Sequence, residues 1–200
     1  MQQFQAVLLD ADGVMNDGKL LSLEEDFGIP SQRLQRFFTE AFPDCLKGKA
    51  DLKEVIAPYL PQWGWEDTVD ELLEYWFKTG SNVHEPVWDI AKQLQAKNIP
   101  LYLATNQEKY RTDYMRQHMG YDELFTEIFS SAYIGFTKPS EQFYKHILGA
   151  LSAIPPASLL YWDDATANVE AARALGINAH HFVSVEDFEK KMHDYSALFN

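Results

Sequence analysis

Four short, almost wholly apolar runs constrain this chain most: QAVLLD (5–10), IPLYLAT (99–105), SLLYWDD (158–164) and NAHHFV (178–183). Runs of this length without polar alternation suit strands buried on both faces. Segments with helical spacing precede three of them, namely HEPVWDIAKQLQAKN, SEQFYKHILGAL and ANVEAARALG. Strands that alternate with helices need right-handed crossovers, which cover both faces of a parallel sheet. The expected fold is therefore α/β, a doubly wound, Rossmann-like parallel sheet. TEIFSS (126–131) is a weaker strand candidate, either an edge or a fifth core strand.

The segment 16–81 breaks this alternation. SQRLQRFFTEAF, DLKEVIAPYL and WEDTVDELLEYWFKTG carry apolar residues at helical spacing, punctuated by Pro30, Pro43, Pro58 and Pro61. A small α-helical cap domain inserted at 16–81 is expected, with the core formed by 1–15 and 82–200. An insertion between the first and second core strands sits over the carboxyl end of the sheet, where doubly wound folds bind ligands.

Composition narrows the function. The formal net charge of −13 argues against a phosphate-backbone partner, so no nucleic acid is expected. No apolar run approaches membrane-spanning length, and the opening MQQFQ lacks the basic flank of a signal peptide. One cysteine, Cys45, excludes an internal disulfide. A cytoplasmic protein with no membrane partner is the expectation, and its oligomeric state is not legible.

Polar residues gather at the strand ends. Asp10 closes the first run, and the turn Ala11–Asp12–Gly13 carries a second carboxylate back to the same crevice. Aspartates also commonly end strands and begin turns, so this pair alone decides little. The second run ends in Thr105 and Asn106, a hydroxyl and a turn amide able to seat an anion. Lys138 stands beside Pro139 ahead of Ser140, a candidate helix N-cap. The third run ends in Asp163 and Asp164, with Asn168 one helical turn beyond.

This order, carried by LLDADGV, LATNQ, TKPSEQFYKHIL and LLYWDDATANVEAARALGI, resembles the four motifs of the haloacid dehalogenase-like hydrolase superfamily, most of whose members are phosphatases. The resemblance covers the core almost end to end, and the inserted helices correspond to the superfamily's cap. It implies a Mg²⁺-dependent phosphatase acting on a small phosphorylated metabolite, a sugar phosphate or a nucleotide, through an aspartyl-phosphate intermediate. The residue types suit that chemistry. Asp10 is the candidate nucleophile and Asp12 the general acid and then base. Thr105 and the Asn106 amide would hold phosphoryl oxygens, and Lys138 would offset the crowded negative charge. Asp10, Asp164 and the backbone carbonyl of Asp12 make a reasonable magnesium set. Relatives often carry glycine at the place of Asp163, so Asp164 takes the ligand role and Asp163 stands behind it, while Asn168 is expected to orient Lys138 or a metal-bound water rather than to touch magnesium.

A phosphoglucomutase-like transfer shares the aspartyl phosphate and is not separated by sequence. A haloacid dehalogenase has no alkoxide to protonate, which makes Asp12 superfluous, and a silent binding protein has no need of the complete set. Within the cap, Lys47 and Lys49 flank Gly48 before a helix that Asp51 can cap, and they are possible substrate contacts. His180 and His181 lack a third ligand for zinc. Cys45 reads as an ordinary thiol, and Trp63, Trp65, Tyr75, Trp76 and Phe77 read as cap packing, with about one facing substrate.

Overall fold

A computed structural model describes residues 3–17 and 23–195. Residues 1–2 and 196–200 of the expected core and 18–22 of the expected insertion lie outside the described residues. Five parallel strands, β1 (Ala6–Leu9), β2 (Leu101–Thr105), β3 (Glu127–Ser130), β4 (Leu159–Asp163) and β5 (Asn178–His181), form one sheet in the order β3-β2-β1-β4-β5. TEIFSS supplies the edge strand β3.

Apolar side chains on alternate positions explain why these runs show no polar alternation. Val7, Leu9, Leu101, Leu103, Leu160 and Trp162 face one side, where they pack with Val87, Ala91 and Leu94 of the helix Glu85–Ala96 and Phe188 of Val185–Tyr195. Ala6, Leu8, Tyr102, Ala104, Leu159 and Tyr161 face the other, against Phe143, Tyr144 and Ile147 of Glu141–Ala150 and Val169 and Ala172 of Thr166–Ala174. Both faces are therefore dry, as parallel sheets require.

The chain runs outward from β1 through β2 to β3, then returns past β1 to β4 and β5. The direction reverses between β1 and β4, which opens a crevice beyond their carboxyl ends. Asp10 and Asp163 stand at that place.

A third apolar cluster draws its buried residues from 23–77 alone, including Phe37, Leu52, Ile56, Trp63, Leu72 and Trp76. Short helices build it: Ser31–Arg36, Phe42–Cys45, Leu52–Ile56 and Leu60–Trp63, then the longer Val69–Thr79. Asp51 caps its helix by accepting from Lys53 N at 2.8 Å, and Thr68 and Glu71 form a reciprocal capping box. The segments that enter and leave this region are paired. Asp17 N donates to Asn82 O at 3.0 Å, and His84 N donates to Met15 O at 2.9 Å, so the entering and leaving segments lie side by side. No helix among the described residues is long and apolar enough to cross a membrane.

Several helices have no counterpart in the sequence reading, among them Val185–Tyr195 and Lys109–His118. The helix Lys109–His118 follows β2, yet it buries Arg111 and Thr112 alongside Met115, so apolar periodicity does not announce it.

Candidate active site

Burial fixes the centre of the site. Lys138 is 4 % exposed, and its Nζ lies 2.7 Å from Asp10 Oδ1 and 2.7 Å from Asp163 Oδ2. A buried ammonium is tolerated only with such partners. Burial acts to lower its pKa, but the two carboxylates outweigh that effect and hold it above the ordinary lysine value. The lysine loop is clamped in turn, because Asn106 Nδ2 donates to Lys138 O at 3.0 Å while Lys138 N donates to Asn106 Oδ1 at 2.7 Å. The Asn106 side chain thus serves the loop, and only its backbone remains for an anion.

Asp10 receives Ala11 N at 2.7 Å on Oδ1, the oxygen that also meets Lys138. Asp10 also lines a polar recess. Burial drives this carboxyl well above the usual carboxylate range, with Lys138 pulling the other way.

Asp163 is saturated. Its Oδ1 accepts from Ala165 N and Asn168 Nδ2, each at 2.8 Å, and its Oδ2 accepts from Lys138 and the Tyr161 hydroxyl. Burial alone raises an aspartate, yet Lys138 and these hydrogen bonds hold Asp163 below its ordinary pKa. It anchors the lysine and the β4 turn. Asn168 stands on Asp163 and not on Lys138.

Asp12 is held by two amides, Asn16 Nδ2 at 2.6 Å on Oδ1 and Gln107 Nε2 on Oδ2. Asn16 is fully buried and is itself fixed by the Tyr121 hydroxyl at 2.7 Å. Neither Asn16 nor Gln107 was singled out by sequence, although Gln107 closes the LATNQ motif and Asn16 lies two residues beyond LLDADGV. Gly13 sits at φ +82°, where a Cβ would fall 2.2 Å from Asp164 Oδ2. Glycine is required there both by the backbone and by the approach of Asp164.

Asp10, Asp12, Thr105, Asn106, Lys138, Asp164 and Asn168 line one polar recess of about 290 Å³. Beside it, sharing Asp12 and Asn106, lies a second cavity of about 220 Å³ with Phe42, Leu46, Trp76 and Phe77 on its walls. Glu108 and Arg111 also line it. Glu108 caps the helix Lys109–His118, accepting from Tyr110 N at 2.8 Å and from Arg111 N, and burial pushes its pKa up to about 7. Arg111 reaches back to the Phe77 carbonyl at 2.6 Å, the Ser81 hydroxyl at 3.0 Å and the Gly80 carbonyl, clipping the end of Val69–Thr79 to the core.

The structure does not bring Lys47 and Lys49 to either cavity. Gly48 packs so closely on the Ala132 carbonyl that a Cβ would lie 2.1 Å from it, and Lys49 faces a separate recess with Asp51, Lys109 and Tyr133. Leu46 takes the place beside the site that the lysines were expected to fill. Of the aromatics expected to pack a cap, Trp76 and Phe77 reach the apolar cavity, whereas Trp63 and Trp65 pack within the 23–77 cluster. Cys45 is buried, and its thiol is pushed up to about 11, chiefly by burial, which leaves it inert.

Comparison with known proteins bears on the family and the fold. A family model described as haloacid dehalogenase-like hydrolase matches residues 4–176. The sesquiterpene phosphatase astK of Aspergillus oryzae is 32 % identical over 93 residues, 46 % of each chain, so this chain covers about half the length of that relative. Among solved structures, a HAD family enzyme of Bacteroides thetaiotaomicron in complex with magnesium superposes with a TM-score of 0.75 at 19 % identity, covering 90 % of this chain and 93 % of that one. The L-2-haloacid dehalogenase of Xanthobacter autotrophicus gives a TM-score of 0.66 at 17 % identity, covering 94 % and 81 %. With its family matched from the first strand to the end of the helix behind Asp164, the chain belongs to the haloacid dehalogenase-like hydrolases.

Proposed function

We propose that this protein is a Mg²⁺-dependent phosphatase that hydrolyses a small phosphate monoester through an aspartyl phosphate on Asp10. The observation that carries the reading is the single polar recess in which Asp10, Asp12, Lys138 and Asp164 converge beside Thr105 and the Asn106 backbone. The phosphatase astK and the magnesium complex of the Bacteroides enzyme support the same reading.

The donors suit a hard cation. Asp10, Asp163 and Asp164 each offer a carboxylate oxygen, all within 4.8 Å of one another, with neither sulfur nor imidazole in the group. Because Asp163 already accepts four hydrogen bonds, Asp10, Asp164 and the Asp12 carbonyl would hold the metal. When bound, magnesium supplies positive charge to the phosphoryl oxygens and favours the ionised form of Asp10.

The chain's own residues do the rest. Asp10 forms the bond to phosphorus as the ester oxygen leaves, and Asp12 gives that oxygen its proton. Asp12 then takes a proton from the water that attacks the aspartyl phosphate, which releases inorganic phosphate and restores Asp10. Asn16 and Gln107 hold the Asp12 carboxyl in one orientation for both transfers. Thr105 and the Asn106 amide bind the phosphoryl oxygens, and Lys138 counters their charge. Asp12 has no task in dehalogenation, where no alkoxide needs a proton.

The test is phosphate release from a set of monoesters in Mg²⁺. Turnover is expected, with loss in EDTA and in Asp10→Asn, and beryllium fluoride should form its adduct on Asp10. Activity that persists in Asp10→Asn removes the nucleophile assignment.

A further inference from the structure

The cavity beside Asp12 bears on which alcohol leaves. Its walls on the cap side are Phe42, Leu46, Trp76 and Phe77, and it meets the polar recess at Asp12 and Asn106. An ester oxygen within reach of Asp12 therefore has its carbon skeleton at the mouth of this cavity.

Most of the polar groups on the walls already have partners. The Gln107 side-chain amide donates to Asp12, and the Gln107 backbone carbonyl accepts from Ala132 N, Ser130 Oγ and Ser131 Oγ at 3.1–3.2 Å. Glu108 is taken up by two backbone amides, and the Asn106 side chain by the Lys138 backbone. Arg111 is turned to the Phe77 and Gly80 carbonyls and Ser81, with the Phe77 and Tyr114 rings at 5.6 and 5.5 Å from its guanidinium carbon. A sugar entering here would lose water from several hydroxyls and gain few partners.

We propose that this cavity takes the alcohol half of the substrate as an apolar group, so that the preferred substrates are phosphate monoesters of apolar alcohols and not of sugars or nucleosides. The proposal rests on the phosphatase reading above and narrows it. A cavity of roughly 150 Å³ lined by Leu, Ile and Phe accepts benzene. The volume of about 220 Å³ found here admits one ring or a short branched chain.

The test compares kcat/KM in Mg²⁺ for benzyl phosphate, glucose 6-phosphate and phosphoglycolate, with acetyl phosphate as a donor too small to fill the cavity. Benzyl phosphate is expected to exceed glucose 6-phosphate by on the order of a hundredfold. Leu46→Gln should narrow that ratio by roughly tenfold, and Phe42→Ser serves if the first variant does not fold. Preference for glucose 6-phosphate, or an unchanged ratio in a folded variant, overturns the proposal. Preference for phosphoglycolate does so too, by showing that Arg111 is available to an anion. If not even acetyl phosphate is hydrolysed, the phosphatase reading fails first. Quenching of tryptophan fluorescence by benzylphosphonate, lost in Leu46→Gln, then still sustains an apolar cavity, while binding no tighter than that of methylphosphonate overturns it.

Discussion

The Asp164 carboxylate occupies the space in which a side chain on residue 13 would begin, 2.2 Å from the ideal Cβ position of Gly13. The turn after β1 and the turn after β4 approach closely here because residue 13 has no side chain. Gly13→Ala must move Asp164 or shift a backbone already at φ +82°. Supporting changes around metal ligands typically alter affinity or activity by about 10–100-fold. The expected outcome is a rise of that order in the Mg²⁺ concentration giving half-maximal phosphatase rate. A magnesium titration checks it, with thermal melting as the control for folding.

Lys138 carries the charge balance of the buried centre, so its removal should be felt in stability as well as in turnover. Lys138→Met leaves Asp10 and Asp163 facing each other without a cation, a situation that costs about 3–5 kcal/mol. For a chain of this size that is a fall in Tm on the order of 10 °C. The sign of the pH dependence follows from Asp163, whose folded pKa is depressed by the lysine after burial is overcome. Its contribution is present above the unfolded aspartate pKa and is lost as pH falls through the folded value. The gap in Tm between wild type and variant should therefore narrow toward acid pH, which calorimetry at pH 7 and in the acid range measures.

These centres were legible because parallel strands are apolar on both faces and stop abruptly where the crevice begins. Asp10, Thr105 and Asp163 stand out as polar residues at the ends of such runs, and Lys138 stands out beside Pro139. The helix Lys109–His118 was hidden because it packs Arg111 and Thr112 inward by hydrogen bonding and not by apolar spacing. The apolar cavity was hidden for another reason. Phe42, Leu46 and Trp76 are separated by up to 34 positions, and only the close of the cap cluster brings them to one wall. Local spacing cannot encode that.

The lysines of the cap loop show the same limit. Lys47 and Lys49 were expected to reach the substrate because they bracket a glycine on a tight turn, and the turn exists, with Gly48 N donating to Cys45 O at 2.9 Å. Its glycine docks on the Ala132 carbonyl, which directs Lys49 to a recess away from the polar site. Lys47→Ala and Lys49→Ala should each leave kcat/KM for the best substrate within about twofold, since solvated charges contribute little. A tenfold rise in KM in either variant would restore the loop to the substrate-binding surface.

Glu108 offers the clearest pH signature outside the carboxylates of the reaction. It is 2 % exposed, caps the helix that carries Arg111, and has a pKa pushed up to about 7 by burial against an ordinary value of 4.5. A carboxyl whose folded pKa is raised binds more protons folded than unfolded across that interval. Stability therefore falls as pH rises from the unfolded value to the folded one. At about 1.4 kcal/mol per pKa unit, the interval corresponds to a loss on the order of 3 kcal/mol between pH 4.5 and 7. Glu108→Gln removes the titration and retains one oxygen able to accept from Tyr110 N or Arg111 N, at the cost of one capping bond of about 1 kcal/mol. The variant should be less stable than wild type at pH 5, and the difference should shrink or reverse by pH 8. Other titrating groups are common to both proteins and cancel in the comparison. Urea unfolding at pH 5, 6, 7 and 8 gives the two curves, and parallel curves would mean that Glu108 does not change its charge in this range.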